Sequence, residues 1–233
     1  RTLDSAADAQ TAVDEALDWG AEQIKFAIED GYAQWTGLPL FEDEVMHAIV
    51  EAAHARGARV SVHICDAAYV ERALDAGVDD IAHIQWDLVR DDLIQRMVDE
   101  EVIVVPTLTV LEAYGSLGGA QMNLRRFVEA GVILAMGNDY TARPQNNFDH
   151  FDLGMPMHEI RRMHEAGMTP MQIIVASTQN GARVCGLASE LGTLEAGKRA
   201  DILVVNGDPL ADLEALTDVR MVVHSGSVIV DRP

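Results

Sequence analysis

Arg59-Val60-Ser61-Val62-His63 and Asp80-Ile81-Ala82-His83-Ile84 decide the fold. Each is a short apolar run with a histidine at or near its C-terminal end, and the histidines lie 20 positions apart. Between the runs, Ala67–Ala76 has the composition of a helix and Gly77 stops it. The runs are apolar throughout rather than alternating, as expected of strands covered by helices in a parallel sheet. The spacing is one strand–helix unit, which puts the two histidines on neighbouring strands.

Working outward, the same unit recurs. A helix over Asp4–Trp19 carries Ala12, Val13, Ala16 and Leu17 on one face, with Asp4 or Ser5 as its cap. A strand follows at Gln23–Ile28, then a helix from about Glu42 to Arg56 closed by Gly57. Beyond His83 come a helix at Asp91–Glu101, a strand at Val102–Pro106, a helix at Gln121–Ala130 and a strand at Val132–Met136. Helices at Met155–Ala166 and from Pro170 to about Gly181 complete this part. The alternation fits either a (β/α)8 barrel or a doubly wound sheet. From Gly192 onward the pattern changes to short strands, Ile202–Val205, Val219–His224 and Val228–Val230, separated by turns. These predict a small antiparallel β-module, with residues 1–190 forming the α/β body and 191–233 the module.

The chain has 233 residues, 48% of them hydrophobic, enough for a sizeable core. A net charge of −21 argues against nucleic-acid backbones and anionic membranes as partners. Two cysteines, Cys65 and Cys185, cannot form a disulfide framework and point to a reducing, cytoplasmic setting. The chain begins at Arg1 without a methionine, so its start says little about targeting.

Chemistry concentrates at strand ends. Lys25, His63, His83 and Asp139 each close a predicted strand, and such ends share one face of a parallel α/β fold. Imidazole and carboxylate are the donors a zinc-type ion prefers. Singly, each has a plainer reading: a hydrogen-bonded histidine, a lysine reaching solvent, an aspartate capping a turn. Four in order at strand termini is a pattern that chance does not readily supply. Elsewhere the signals are weaker. His158-Glu159 with His164 misses zincin spacing because Arg162 stands where the second histidine belongs. His47 and His54 read as surface residues, and Gly115–Gly119 as a bend.

With these residues the chain resembles the amidohydrolase superfamily, in its imidazolonepropionase-like and prolidase-like branch. The most specific pieces are Gly20–Lys25, Ala52–Gly57, His63, Ala76–His83, Val105–Leu108, Ala130–Val132, Gly137-Asn138-Asp139, and the tail from Gly192 to Leu210. The resemblance implies the family's (β/α)8 barrel, with its fourth to eighth strands present, and a small β-sandwich. It implies two zinc ions bridged by Lys25 carboxylated with carbon dioxide, further held by His63, His83 and Asp139, and Asp139 as the catalytic base. The substrate implied is a small amide or peptide, cleaved at a C–N bond by a dipeptidase or prolidase-like activity. A homo-oligomer is the expected assembly.

Two departures qualify it. Asn138 stands where the family usually has threonine. No His-x-His occurs, although the family's first strand supplies one. The expectation is therefore the C-terminal part of a longer protein, whose absent segment is needed to complete the barrel. Hydrolysis of a cyclic amide, as in imidazolonepropionases, is the alternative activity. From a different class, the chain could be an inactive barrel fragment that binds a partner chain. Tyr32, Arg143 and His150 lie on loops after the strands and are candidate substrate contacts, though loop packing alone accounts for residues of these types.

Overall fold

A computed structural model of the chain describes residues 3–32, 35–139 and 154–233. Its body is a sheet of five parallel strands: β1 (Gln23–Ala27), β4 (Arg59–His63), β5 (Asp80–Ala82), β6 (Ile103–Val105) and β7 (Ile133–Leu134). They lie side by side in chain order. A doubly wound sheet reverses its strand order at a switch point, so this strictly sequential order excludes that alternative. Between β1 and β4 a two-residue hairpin arm, β2 (Gly31–Tyr32) and β3 (Trp35–Thr36), stands apart.

Register explains why the strands are apolar throughout. Ile24, Val60 and their neighbours Phe26, Val62, Ile81, Val104 and Leu134 share one face and are buried in the core. That face is covered by helices α1 (Ala6–Asp18), α2 (Asp43–Ala55), α3 (Val70–Ala76), α4 (Asp91–Asp99), α6 (Leu117–Ala130), α7 (Met157–Glu165) and α8 (Pro170–Ser177). Successive members touch, α1 on α2 through α7 on α8, so the helical layer follows the strand order. The opposite face carries two ranks across the sheet. One is Lys25, Ser61, Asp80, Ile103 and Ile133; the other, nearer the strand ends, is Ala27, His63, Ala82 and Val105.

Helix ends obey local chemistry. Ser5 accepts the Asp8 N–H to start α1. Thr169 and Gln172 form a reciprocal capping box on α8, with Pro170 at its first position. Gly77 and Gly131 stop α3 and α6 in the left-handed conformation that glycine adopts without cost.

The structure departs from the sequence reading in places. A short helix, α5 (Leu108–Ala113), occupies a stretch that carried no helical expectation. α6 begins at Leu117, so Gly118 and Gly119 lie inside a helix rather than in a bend. The predicted helix after Pro170 breaks at Thr178 into α8 and α9 (Gln179–Val184). The tail forms an antiparallel sheet of β8 (Ile202–Val205), β9 (Val219–His224) and β10 (Ser227–Asp231), in the order β10-β9-β8. Arg161 of α7 grips Glu214 of this module with two bonds of 2.7 and 2.8 Å. Among the described residues, no helix is long and apolar enough to cross a membrane.

Candidate metal centre

His63 is the last residue of β4, and His83 follows β5 directly. Their rings meet edge to face at a centroid distance of 4.6 Å, with His63 Nδ1 2.9 Å from His83 Nε2. The other nitrogen of His83, Nδ1, lies 2.5 Å from Thr107 Oγ1. The chain just beyond His83 is pinned from both sides. Gln85 donates to the Ile64 and His83 carbonyls, and the Trp86 N–H donates to the Cys65 carbonyl. Asn123 of α6, fully buried, donates to the Gln85 and Asp87 carbonyls.

Asp139 reaches the same place from the far edge of the sheet. After β7 the chain passes Val105 so closely that a Cβ on Gly137 would stand 2.7 Å from its Cγ1. Asp139 then takes φ 53°, a left-handed conformation aspartate tolerates better than most residues. Its carboxylate, the two imidazoles, Cys65, Val110, Leu111 and Tyr114 line a cavity of 280 Å³. Lys25 projects from the same sheet face one rank below, in register with Ser61.

The electrostatics keep both imidazoles uncharged. Burial, and then the Lys25 ammonium, lower the His63 pKa to about 4. Burial, then His63 and Lys25, lower that of His83 to about 3. Both rings are therefore neutral at physiological pH and present lone pairs. Burial raises the Asp139 pKa, and Lys25 opposes that rise. Burial, aided by Glu29 and Asp139, pushes the Cys65 thiol up to about 12, so it is protonated.

The donors fit a zinc-type ion. Two bonds of about 2.0–2.1 Å at a tetrahedral angle place their nitrogens about 3.3 Å apart. The His63–His83 separation needs to open by only a few tenths of an ångström to meet that. Donor atoms of Glu29, His63 and Cys65 also lie within 4.8 Å of one another. This trio is the poorer set, because the thiol holds its proton and Glu29 already accepts the Cys65 N–H at 2.9 Å.

Of the residues read from the sequence, His63, His83 and Asp139 line one cavity, and the charge of Lys25 acts on all three. Tyr32 lies in β2, where its backbone pairs with Trp35 of β3. Arg143 and His150 lie outside the described residues. Glu29, Cys65, Thr107, Val110, Leu111 and Tyr114 were not anticipated as site residues. Thr107 alone left a local trace, as a polar residue just past an apolar strand.

Two histidines, a lysine and an aspartate thus stand on or just after four of the five parallel strands. The profile of the amidohydrolase family matches residues 11–229. The chain belongs to the amidohydrolase family. Among curated relatives of this amidohydrolase chain, ochratoxinase from Aspergillus niger is 24% identical over 95% of the chain and 48% of its own length. Imidazolonepropionase from Alkaliphilus metalliredigens is 22% identical over 97% of the chain and 53% of its own length. A crystal structure of a Xaa-Pro dipeptidase superposes with a TM-score of 0.82 at 26% identity, over 97% of the chain and 59% of that protein. The chain spans about half the length of the curated relatives it matches.

Proposed function

We propose that this amidohydrolase chain carries most of a two-zinc centre that hydrolyses C–N bonds in acyl-amino acids or short peptides, as a dipeptidase or prolidase would. The observation that carries the reading is the His63–His83 pair, two neutral imidazoles 2.9 Å apart at adjacent strand ends beside Asp139, with Lys25 one rank below on the same sheet face. His63 and His83 would hold one ion, Asp139 the other, and Lys25 carboxylated by carbon dioxide would bridge them. Carboxylation turns the local field around: the ammonium of Lys25 disfavours positive charge at both imidazoles, whereas a carbamate attracts it. Zinc bound here would lower the pKa of water and polarise the scissile carbonyl. Asp139, at the cavity wall, would take the proton of the attacking water and pass it to the leaving nitrogen.

The five parallel strands would be the later strands of a (β/α)8 barrel, and the antiparallel tail sheet part of its β-sandwich. The remaining strands and a His-x-His pair would come from a segment outside this chain. The likeness to a Xaa-Pro dipeptidase supports a peptide substrate. The likeness to an imidazolonepropionase supports a cyclic amide, the second reading. Lys25 favours the first, because a bridging lysine has work to do only between two ions.

Zinc content tests the centre. The chain dialysed against zinc and bicarbonate should retain metal, and Lys25→Ala should retain less. A chain that holds no zinc would overturn the centre, and an unchanged stoichiometry in Lys25→Ala would remove the bridge. In the completed protein, turnover of Xaa-Pro dipeptides against a cyclic amide separates the two substrate readings.

A further inference from the structure

Thr107 immediately precedes α5, where a threonine hydroxyl ordinarily caps its own helix. Here it makes no capping bond. Its backbone takes φ 51°, and its hydroxyl contacts His83 instead. The free N–H groups at the start of α5 are met from elsewhere. Glu159, fully buried on α7, accepts the Leu108 N–H at 2.8 Å through one carboxylate oxygen. Its other oxygen accepts the Thr109 N–H at 2.7 Å and the Thr109 hydroxyl at 2.6 Å.

We propose that Glu159 is a positioning residue for His83: it caps α5 in place of Thr107, freeing the Thr107 hydroxyl to receive His83 Nδ1–H and leaving the Nε2 lone pair toward His63. A purely structural role does not account for it. The α5–α7 contact is already clamped by Glu112, which pairs with His158 at 2.6 Å and with Arg162 at 2.6 and 2.8 Å. A carboxylate buried this deeply is costly unless its oxygens are satisfied, and all three donors that satisfy it lie in the two residues after Thr107. Burial raises its pKa to about 7, and those three donors oppose the rise. The same three residues, Thr107, Leu108 and Thr109, thus connect a helix on the outside of the sheet to a ring in the metal centre.

The consequence for metal rests on His83 being a ligand, as proposed above, but the coupling of Glu159 to His83 can be read without metal. The 233-residue chain, labelled with ¹⁵N-histidine and free of metal, should show His83 as a single tautomer protonated at Nδ1. Glu159→Gln and Thr107→Val should each move His83 toward tautomer averaging, and the double variant should go no further than either alone. Zinc affinity, measured by competition with a chromogenic chelator, should fall roughly tenfold in each single variant, as for other residues that orient a ligand. Unaltered His83 signals in folded Glu159→Gln, or effects that simply add in the double variant, would overturn the coupling. If Glu159→Gln does not fold, Thr109→Val removes one donor and leaves the carboxylate. It should shift the same signals less, and no shift would overturn the proposal. A parent chain that binds no zinc would count against the metal centre alone, because the tautomer measurement still decides the role of Glu159.

Discussion

A histidine whose pKa falls on folding makes stability depend on acidity, and the sign is fixed. The unfolded chain takes up a proton on His63 near pH 6.5, whereas the folded chain resists until about pH 4. Between those values the unfolded state binds more protons, so stability falls as pH falls. For His63 alone the loss between pH 7.5 and 5.5 is about 1 kcal/mol. Asp139 and Glu159, whose pKa values rise on folding, act in the opposite direction, so the total slope mixes signs. The difference between the metal-free parent and His63→Gln isolates the histidine. Urea unfolding at the two pH values should show the parent losing about 1 kcal/mol more than the variant. A difference independent of pH would mean that His63 is not held neutral by the fold. At this scale the polar residues that gather on the sheet are legible in the sequence, and the groups that hold them in place are not. His63, His83 and Asp139 stand out as polar residues at the ends of apolar runs, whereas Lys25, expected at a strand end, lies in the middle of β1. Glu29 and Glu159 act through backbone groups 36 to 51 positions away, and no local pattern announces such a bond.

At the level of elements, the strands were legible because each is apolar, short and bounded by glycine, proline or a charged residue. Helix α5 was not, because Thr107-Leu108-Thr109-Val110-Leu111 is β-branched and its cap is a glutamate from another helix. The start of α6 was missed for a related reason. Gly118 and Gly119 weaken a helix considered alone, but tertiary packing requires one of them. A Cβ on Gly119 would lie 1.6 Å from the Trp86 carbonyl oxygen and 2.6 Å from its carbon, whereas Gly118 has nothing within 4 Å. The two neighbours should therefore respond oppositely to alanine. Gly119→Ala must push α6 away from the loop after β5, which Asn123 of the same helix holds, and should cost about 3 kcal/mol. Gly118→Ala should be neutral or stabilise by up to about 1 kcal/mol through helix propensity. Urea midpoints decide it; similar effects at both sites would sink the close-approach argument.

The whole molecule is set by what its sheet leaves open. Among the described residues, β1 and β7 each have one hydrogen-bonded neighbour, so the sheet ends in two parallel edges. Lys25 and Ala27 are exposed on the face that, further along the sheet, buries Ser61 and Asp80. Beside β1, a cavity of 1020 Å³ is walled by apolar groups including Val13, Ile24, Phe26, Leu40 and Phe41. Unpaired strand edges and apolar surface favour association with further strands, whereas a net charge of −21 opposes it between copies. Salt separates these contributions. Raising ionic strength from 0.1 M to 1 M shortens the screening length from about 10 Å to about 3 Å. That removes most of the repulsion and leaves the backbone and apolar attraction. The isolated chain should therefore sediment near its monomer mass of 25.4 kDa in dilute salt and form larger species as salt rises. Association through ion pairs would show the reverse dependence. A monomer at every salt concentration would mean that the edge beside β1 is already closed.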